Sequence, residues 1–469
     1  MTLQFRFTYG VEQRRDGEDL LLADQLGRAL RLTAPSMPLV TVMKRLGEGG
    51  GTLLSLMQGV SSIAPFITLQ QLEQRGWLAL ELVSGEQSLV TLEPHSTALK
   101  RTHPPAGTNG VRWSRFVQIT PEADGLLLEA PLQGSRLMLQ HPCLLPLIWE
   151  LAGPSDWSTA LLALPQAVQE QGDELLMLLL TAGVAGMVEA DGTPSCDRQA
   201  NLQRWSREDL CLHHRSRDGW TDGTLGATFP GAVRGPAPPL LHQDTGLDAV
   251  RLPRPEPDAP EPGFFSVLEQ RRSHRRSGQQ PVKLQQLGQL LWASLRIREV
   301  FPAKPRDHSY EGSYEGATRP VAGGGGMQEI DTYLVIQRCD GVASGVYRYD
   351  PQEHQLLRLD ALNGACEQLL QNARHYSVAE QQPDVLFQFA ARYGRLSWKY
   401  EGVVYALILK HVGVIMQQLY LVATALDLAP CSLGCGDSEL FARATSLDPW
   451  TDVCVGELML SSRSEGDQW

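Results

Sequence analysis

The sequence predicts an α+β fold divided into more than one domain, and three observations support this. With 469 residues, the chain is too long for one ordinary hydrophobic core, so roughly two to four domains are expected. Its hydrophobic fraction of 42% and charged fraction of 20% are typical of a folded globular protein. Apolar residues recur with the period of strands in some stretches and with that of helices in others, and the two kinds are interspersed.

The first 195 residues repeat one order of elements. In each copy, alternating strands precede three short helices, and a strand or hairpin comes after them. The first copy is predicted to have strands over 4–33, helices over 39–46, 53–60 and 67–75, and a hairpin over 77–92. The second is predicted to have strands over 116–139, helices over 144–151, 158–162 and 174–181, and a strand over 184–189. This order is winged-helix-like, so we predict two such modules, residues 1–105 and 106–195.

Composition disfavours several partners. The net charge is −12 and neither final helix of the two modules is basic, so we predict no nucleic-acid partner. The most apolar run, Leu175–Val188, is shorter than the ~20 residues that cross a bilayer, so no membrane partner is predicted. Cysteines are scattered and form no C-x-x-C pair, which favours reduced thiols and a cytoplasmic protein. The adjacent His213 and His214 do not readily face one ligand site, so no metal site is predicted.

A connector over residues 196–262 leads to a second α+β segment. Residues 236–262 are proline-rich, which is typical of a surface linker. We predict a separate domain over residues 263–469. Its expected elements are a helix over 284–294, strands over 330–336 and 345–349, one long helix over 400–428, and a strand over 453–460.

Arg271–Arg276 is a basic segment directly after a short amphipathic helix. Guanidinium groups match phosphate oxygens two at a time, and the Ser273 hydroxyl adds a donor. The segment could therefore hold the phosphate of a cofactor or of a nucleic acid. A solvated basic patch is the alternative.

Two further features could form a site. Four glycines, Gly323–Gly326, follow Arg319-Pro320 and precede a strand, so a backbone could approach a flat or anionic ligand there; a flexible loop is the alternative. Their spacing fits neither the dinucleotide nor the P-loop fingerprint. Lys399, one of only six lysines, lies between Trp398 and Tyr400 at the predicted start of the long helix. It could act as a base or merely extend its ammonium group to solvent.

Taken in order, these motifs resemble the nitroreductase superfamily over about residues 264–462. The match looks closest to its azoline dehydrogenase branch, the SagB/McbC-type enzymes and the cyanobactin oxidases. The repeated N-terminal region looks like the peptide-clamp modules of that branch. The motifs are Arg-Arg-Ser-x-Arg at 271–275, Arg-Pro-x-x-Gly-Gly-Gly at 319–325, Glu-x-x-x-Tyr-Leu-Val at 329–335, Trp-Lys-Tyr-Glu-Gly at 398–402, and Gln-x-Leu-Tyr-Leu-Val-Ala-Thr-Ala-Leu at 417–426.

The resemblance implies FMN bound between the subunits of a homodimer. It implies that Lys399 and Tyr400 are the catalytic pair, and that Arg463 is a candidate for a further phosphate contact. Ala322 stands where the branch usually has serine, so a hydroxyl is lost. The implied FMN-binding residues are Arg271, Arg272, Ser273 and Arg275 at the phosphate and ribityl chain, Ala322, Gly323 and Gly324 along the isoalloxazine, and Leu433 and Gly434 from the other subunit or face.

The implied activity is FMN-dependent oxidation of thiazoline or oxazoline rings to thiazoles or oxazoles. The substrate would be an azoline-containing precursor peptide of ribosomal origin, and a cyclodehydratase would be a partner. An NAD(P)H-dependent flavin reductase of nitroaromatics or quinones is one alternative, which the long N-terminal region disfavours. A non-catalytic peptide-binding protein is another, which Lys399 and Tyr400 disfavour.

Overall fold

The structure is a computed structural model and divides into two compact units, Met1–Thr224 and Leu225–Trp469. Helices and strands are interspersed in both units, so the predicted α+β class is confirmed. The predicted boundaries at 105/106 and 195/196 stay predictions. The described residues are 2–24, 28–85, 87–95, 100–105, 110–217, 225–243, 246–256, 261–303 and 313–464.

The two sequence copies of the first unit share one sheet and one core. Among its described residues, six antiparallel strands form that sheet, and both copies supply buried leucines to the core beneath it. Burial of alternate or successive apolar residues explains why these segments are strands rather than loops. In sheet order the strands are Thr2–Phe7, Leu78–Ser84, Gln87–Pro94, Ser135–Leu139, Gly125–Glu129 and Gln118–Glu122.

Small sheets and helices complete the described part of this unit. The helix Gly172–Thr181 is buried on nearly every side, and Gly183 ends it with a φ of 68°, as its position predicted. The winged-helix description stays a prediction. Strands Glu12–Asp16, Asp19–Ala23 and Ala29–Leu32 form one three-stranded sheet, and Ser155–Asp156, Gly110–Trp113 and Ala185–Met187 form another. The α-helices are Met37–Gly47, Leu53–Met57, Ala64–Gln74, Leu145–Glu150, Trp157–Leu162, Gln166–Gln169, Gly172–Thr181 and Arg207–Arg215.

A seven-stranded antiparallel sheet organises the described part of the second unit, with helices on both of its faces. Its two central strands, Ile330–Ile336 and Val385–Arg392, are buried along their whole length. In sheet order the strands are Ala249–Arg251, Gln355–Asp360, Gly345–Asp350, Ile330–Ile336, Val385–Arg392, Asp452–Ser462 and Leu428–Ser432. The α-helices are Phe264–Gln270, Leu284–Leu295, Gly364–Ser377, Tyr393–Lys399, Val404–Ala425 and Ser438–Thr445.

The predicted long helix is shorter than expected at both ends, and Lys399 does not open it. The helix, hereafter the long helix, spans Val404–Ala425, and Lys399 instead ends the short helix Tyr393–Lys399. Gly402 separates the two with a φ of 70°, and Glu401 pairs with Gly226 through two backbone hydrogen bonds. By length and composition alone the long helix could cross a bilayer, although one of its sides packs in the core of the unit.

Residues 225–243, hereafter the strap, fall within the predicted connector but fold against the second unit. The Nη1 atom of Arg392 donates to the Pro239 carbonyl at 2.8 Å, and the indole N–H of Trp398 donates to the Gly235 carbonyl at 2.9 Å. Gly231 approaches Trp398 so closely that a β-carbon on Gly231 would lie 2.6 Å from the α-carbon of Trp398. The strap is therefore a bound part of the second unit rather than a free linker.

Candidate active site

The basic segment begins at the end of the helix Phe264–Gln270, as predicted. The His274 backbone N–H donates to the Pro430 carbonyl at 2.9 Å, which fixes the segment beside the strand Leu428–Ser432. The Ser273 hydroxyl lies 2.7 Å from that of Tyr420, and Tyr420 accepts the Ser432 backbone N–H at 2.8 Å. Hydroxyl groups and guanidinium groups therefore share one small region.

The arginines of this segment differ in their surroundings. The Arg271 guanidinium lies 5.4 Å from the centre of the Tyr420 ring, and Arg272 is half-buried. Arg275 is exposed, although its Nε donates to the Ser377 carbonyl at 2.8 Å. Arg463 is bridged to Ser277 next to this segment, and its guanidinium pairs with a carboxylate. This concentration of positive charge has the chemistry of a phosphate-binding region.

The glycine run Gly323–Gly326, hereafter the glycine loop, forms a tight turn against three polar side chains. Gly325 has a φ of 57°, which favours glycine. A β-carbon on Gly325 would lie 2.9 Å from the Tyr400 hydroxyl and closer still to Lys399 Nζ. One on Gly324 would lie 3.3 Å from His411 Nε2 and 3.6 Å from the Tyr400 hydroxyl. The loop is thus a close-approach surface that Lys399, Tyr400 and His411 border.

Lys399 is held inside the fold, with only 7% of its surface exposed. Its Nζ donates to the Tyr314 hydroxyl at 2.5 Å, and that hydroxyl donates to the Gly325 carbonyl at 2.8 Å. The same Nζ lies 4.4, 5.3 and 5.8 Å from the ring centres of Tyr314, Tyr400 and Phe229. Aromatic faces attract an ammonium group, so this lysine is positioned rather than extended to solvent.

His411 was missed as a site residue by the sequence reasoning. Its Nδ1 lies 2.5 Å from Oε1 of Glu329, and the Glu329 side chain is 1% exposed. In the sequence, the only signal was the polar pair Lys410-His411 interrupting an apolar helix. Glu329 is the first residue of the Glu-x-x-x-Tyr-Leu-Val motif, but its contact with His411 carried no signal, because only folding brings the residue before the strand Ile330–Ile336 next to the long helix.

Leu433 and Gly434 lie on the turn after the strand Leu428–Ser432, away from the glycine loop. The Leu433 backbone N–H donates to the Glu457 carbonyl at 3.0 Å, while Gly434 is exposed. Among the described residues, no hydrogen bond joins this turn to the glycine loop. Through the neighbouring Ser432, the turn is instead close to the basic segment.

The predicted site residues therefore form two groups on opposite flanks of the long helix. His411 marks the glycine loop and Tyr420 marks the basic segment. These two residues are nine positions apart, which is about two and a half helical turns and ~14 Å along the axis. The half turn beyond two full turns puts His411 and Tyr420 on opposite sides of the long helix.

A buried charged cluster anchors the end of the strap. His242 Nε2 lies 2.7 Å from Asp331 and 3.7 Å from Asp452, and the Arg392 Nε lies 2.9 Å from Asp331. Burial alone would raise the pKa of Asp331, but Arg392 and His242 hold it below its usual value. Burial raises the pKa of Asp452. His242, Asp331 and Asp452 could together ligate a metal ion by their spacing, although Arg392 already supplies Asp331 with a counter-charge.

Comparison with known proteins identifies the protein families that parts of this chain match. Residues 268–459 match the model of the Nitroreductase family, and residues 111–222 match that of the cyanobactin oxidase ThcOx. The chain thus joins a nitroreductase family domain to a cyanobactin oxidase-type domain. This confirms the resemblance stated from the motifs, and it makes the protein an oxidoreductase by family.

Individual proteins are similar to parts or most of this chain. A nitroreductase-like protein of Methanocaldococcus jannaschii is 28% identical over 178 residues, which cover 38% of this chain and 81% of that protein. A nitroreductase-like structure from Anabaena variabilis is 11% identical and covers 98% of this chain and 80% of its own, with a TM-score of 0.38. The E. coli microcin synthetase McbBCD complex with truncated pro-MccB17 bound is 19% identical, with coverages of 45% and 77% and a TM-score of 0.33.

Proposed function

We propose that the protein oxidises thiazoline or oxazoline rings of a ribosomally made peptide to thiazoles or oxazoles with FMN. The observation that carries this proposal is the convergence of Lys399 and Tyr400 on the adjacent glycines Gly324 and Gly325. A flat cofactor ring and a substrate ring could approach a backbone that has no side chains, while groups able to handle a proton border it. The cyanobactin oxidase match supports the choice of azoline as substrate.

The residues present fit FMN. The arginines and hydroxyls of the basic segment suit its phosphate and ribityl chain, and the glycine loop presents backbone without side chains next to Lys399, Tyr400 and His411. Ala322, which precedes the loop, is exposed and provides no hydroxyl. When bound, the flavin would accept the hydride, and the protein would supply placement and proton transfer.

The separation of the two groups of residues supports the predicted homodimer. In one chain, the basic segment and the glycine loop lie on opposite flanks of the long helix, so one flavin would need the basic segment of one copy and the glycine loop of another. Between these flanks the helix exposes apolar side chains, including Leu409 and Val414 at 40% each. The neighbouring helix adds Phe264 and Phe265 at 63% and 79%. A second copy would cover this apolar surface.

The surroundings of Lys399 suit a reaction that must exclude water. Phe229 from the strap, Tyr314 and Tyr400 surround its Nζ, and Trp398 packs edge-on against Phe229 at 5.8 Å. The hydrogen bond to Tyr314 fixes the direction of the ammonium group. Lys399 and Tyr400 would then take part in moving the proton of the azoline α-carbon.

The first unit would bind the peptide. Its part over residues 111–222 carries the cyanobactin oxidase match, and the strand Glu12–Asp16 is exposed along its length, as a strand that pairs with a peptide must be. A cyclodehydratase that makes the azoline would precede this enzyme, which gives the expected partner. All eight cysteines are free thiols, in keeping with a cytoplasmic setting.

The proposal is tested by turnover of an azoline peptide in air without NAD(P)H. We expect a mass loss of two hydrogens per ring and a flavin absorbance spectrum in the purified protein. Turnover of nitroaromatics or quinones that requires NAD(P)H, with no azole formed, would favour the flavin reductase. Peptide binding without flavin and without turnover would favour the non-catalytic alternative.

A further inference from the structure

We infer that His411 and Glu329 form a proton-accepting pair in this site. The inference rests on the proposed oxidation and adds a base that the motifs do not contain. His411 lies on the long helix with its side chain 12% exposed, and its two ring nitrogens have different surroundings. Nδ1 faces Glu329, whereas Nε2 packs against the glycine loop, 3.3 Å from the position that a β-carbon on Gly324 would take.

The carboxylate determines the state of the imidazole. Glu329 is an acceptor when ionised, so Nδ1 carries the hydrogen and Nε2 keeps its lone pair. At 2.5 Å this hydrogen bond also fixes the direction of the ring. After Nε2 takes a proton, the positive charge on the imidazolium is balanced by the carboxylate. Such a group is oriented before the substrate arrives.

The position of Nε2 makes it a better acceptor than Lys399. The Lys399 Nζ is surrounded by aromatic faces and already donates to the Tyr314 hydroxyl, so it is engaged away from the Gly324 side of the loop. Tyr400 lies between the two, since its hydroxyl is near the β-carbon positions of both Gly324 and Gly325. His411, Tyr400 and Lys399 are thus arranged in that order along the glycine loop.

The proposed step balances in atoms and electrons. The C–H bond at the azoline α-carbon breaks, its proton goes to His411 Nε2, and its electron pair becomes the new ring double bond. A hydride from the neighbouring ring carbon would be accepted by a bound, oxidised flavin. The substrate thus loses one proton and one hydride. His411 would be a catalytic residue, and Glu329 a positioning residue that acts only through the imidazole.

The test compares His411→Gln, His411→Ala, Glu329→Gln and the double variant His411→Ala/Glu329→Gln in the full-length protein. Flavin content and melting temperature are measured beside azole formation. We expect His411→Gln to keep its flavin and its KM but to lose about 10²-fold or more in kcat, with a larger deuterium isotope effect at the α-carbon. Added imidazole should restore part of the turnover of His411→Ala. The exposed His375 provides the matched control His375→Gln, which should change nothing.

Glu329→Gln separates orientation from structural support. As a single change it should lower kcat at least about tenfold, because a charge-assisted hydrogen bond to the imidazolium is lost. Added to His411→Ala, it should lower kcat no further. Equal losses in both backgrounds, or no rescue by imidazole, would overturn the pair's role. So would a normal kcat for His411→Gln while the wild type is active. If the wild type forms no azole, the proposed function itself falls, and this role falls with it.

Discussion

Removing the amine of Lys399 should stop turnover while leaving the fold and the flavin in place. Lys399→Ala deletes the hydrogen bond to Tyr314, which is worth about 1 kcal/mol. Tyr314 keeps its hydrogen bond to the Gly325 carbonyl, so no buried donor is left without a partner. The loss in stability should therefore be small compared with the whole free energy of unfolding.

The effect on the reaction should be much larger. Help from a positioned proton-transfer group is typically worth about 10²–10⁴-fold, or ~2.7–5.5 kcal/mol of the barrier. We expect losses in that range for Lys399→Ala and for Tyr400→Phe, with bound FMN and the dimer retained. Because the two residues border the same glycines, the double variant should be little worse than the worse single variant.

Azole formation by mass shift, alongside flavin content, is the measurement. Lys44→Ala is the matched control, since Lys44 is exposed on the helix Met37–Gly47, outside the site, and should tolerate the change. Lys399→Met separates lost packing from lost charge, because it keeps an unbranched apolar chain. Near-normal turnover in Lys399→Ala and Tyr400→Phe would refute the assignment of the catalytic pair.

Three further changes test other parts of the structure. The double variant Arg271→Ala/Arg275→Ala should release the flavin, since each charge-assisted contact to the phosphate is worth about 1.5–3 kcal/mol. The control Arg276→Ala should keep the flavin. A full flavin complement in the double variant would show that the phosphate binds elsewhere. Deleting residues 1–224 should leave azoline turnover intact but abolish the preference for a leader-bearing peptide. Equal rates on long and short peptides, both before and after the deletion, would contradict a peptide-binding role for this unit. Burial raises the pKa of the Glu457 carboxyl in the folded protein, so the stability that its protonated form contributes is lost as the pH rises through this raised pKa. Glu457→Gln should therefore raise the melting temperature more at pH 8 than at pH 4. An equal gain at both pH values would refute this.

The elements of this fold could be predicted where one short-range pattern decided the structure. The strand Ile330–Ile336 has the bounds that the sequence predicts, because a short apolar run between turn residues has few alternatives. The predicted start of the long helix is too early, because Tyr400 and Val403 extend its apolar pattern toward the N-terminus. Helicity ends there through the positive φ of Gly402 and the pairing of Glu401 with Gly226, a residue 175 positions earlier. Sequence periodicity does not report contacts between distant residues.

The same limit applies to the candidate site. Local motifs marked Lys399, Tyr400 and the glycine loop, because they are adjacent in sequence or rich in one residue type. Tyr314 belongs to none of these motifs, and Glu329 is marked only as the start of a strand motif. The roles of both residues depend on which side chains folding brings near.

Phe229 shows most clearly how the site depends on distant segments. It belongs to the strap, in a region whose prolines predicted an exposed linker, yet its backbone N–H donates to the Lys399 carbonyl at 2.9 Å and its ring lies beside the Lys399 amine. The strap is held by Arg392, Arg395 and Trp398, which flank or belong to the short helix that Lys399 ends. The same short helix therefore positions the lysine and binds the segment that covers it. A change that loosens the strap should consequently affect proton transfer at Lys399 before it affects the sheet, because the sheet has its own buried core.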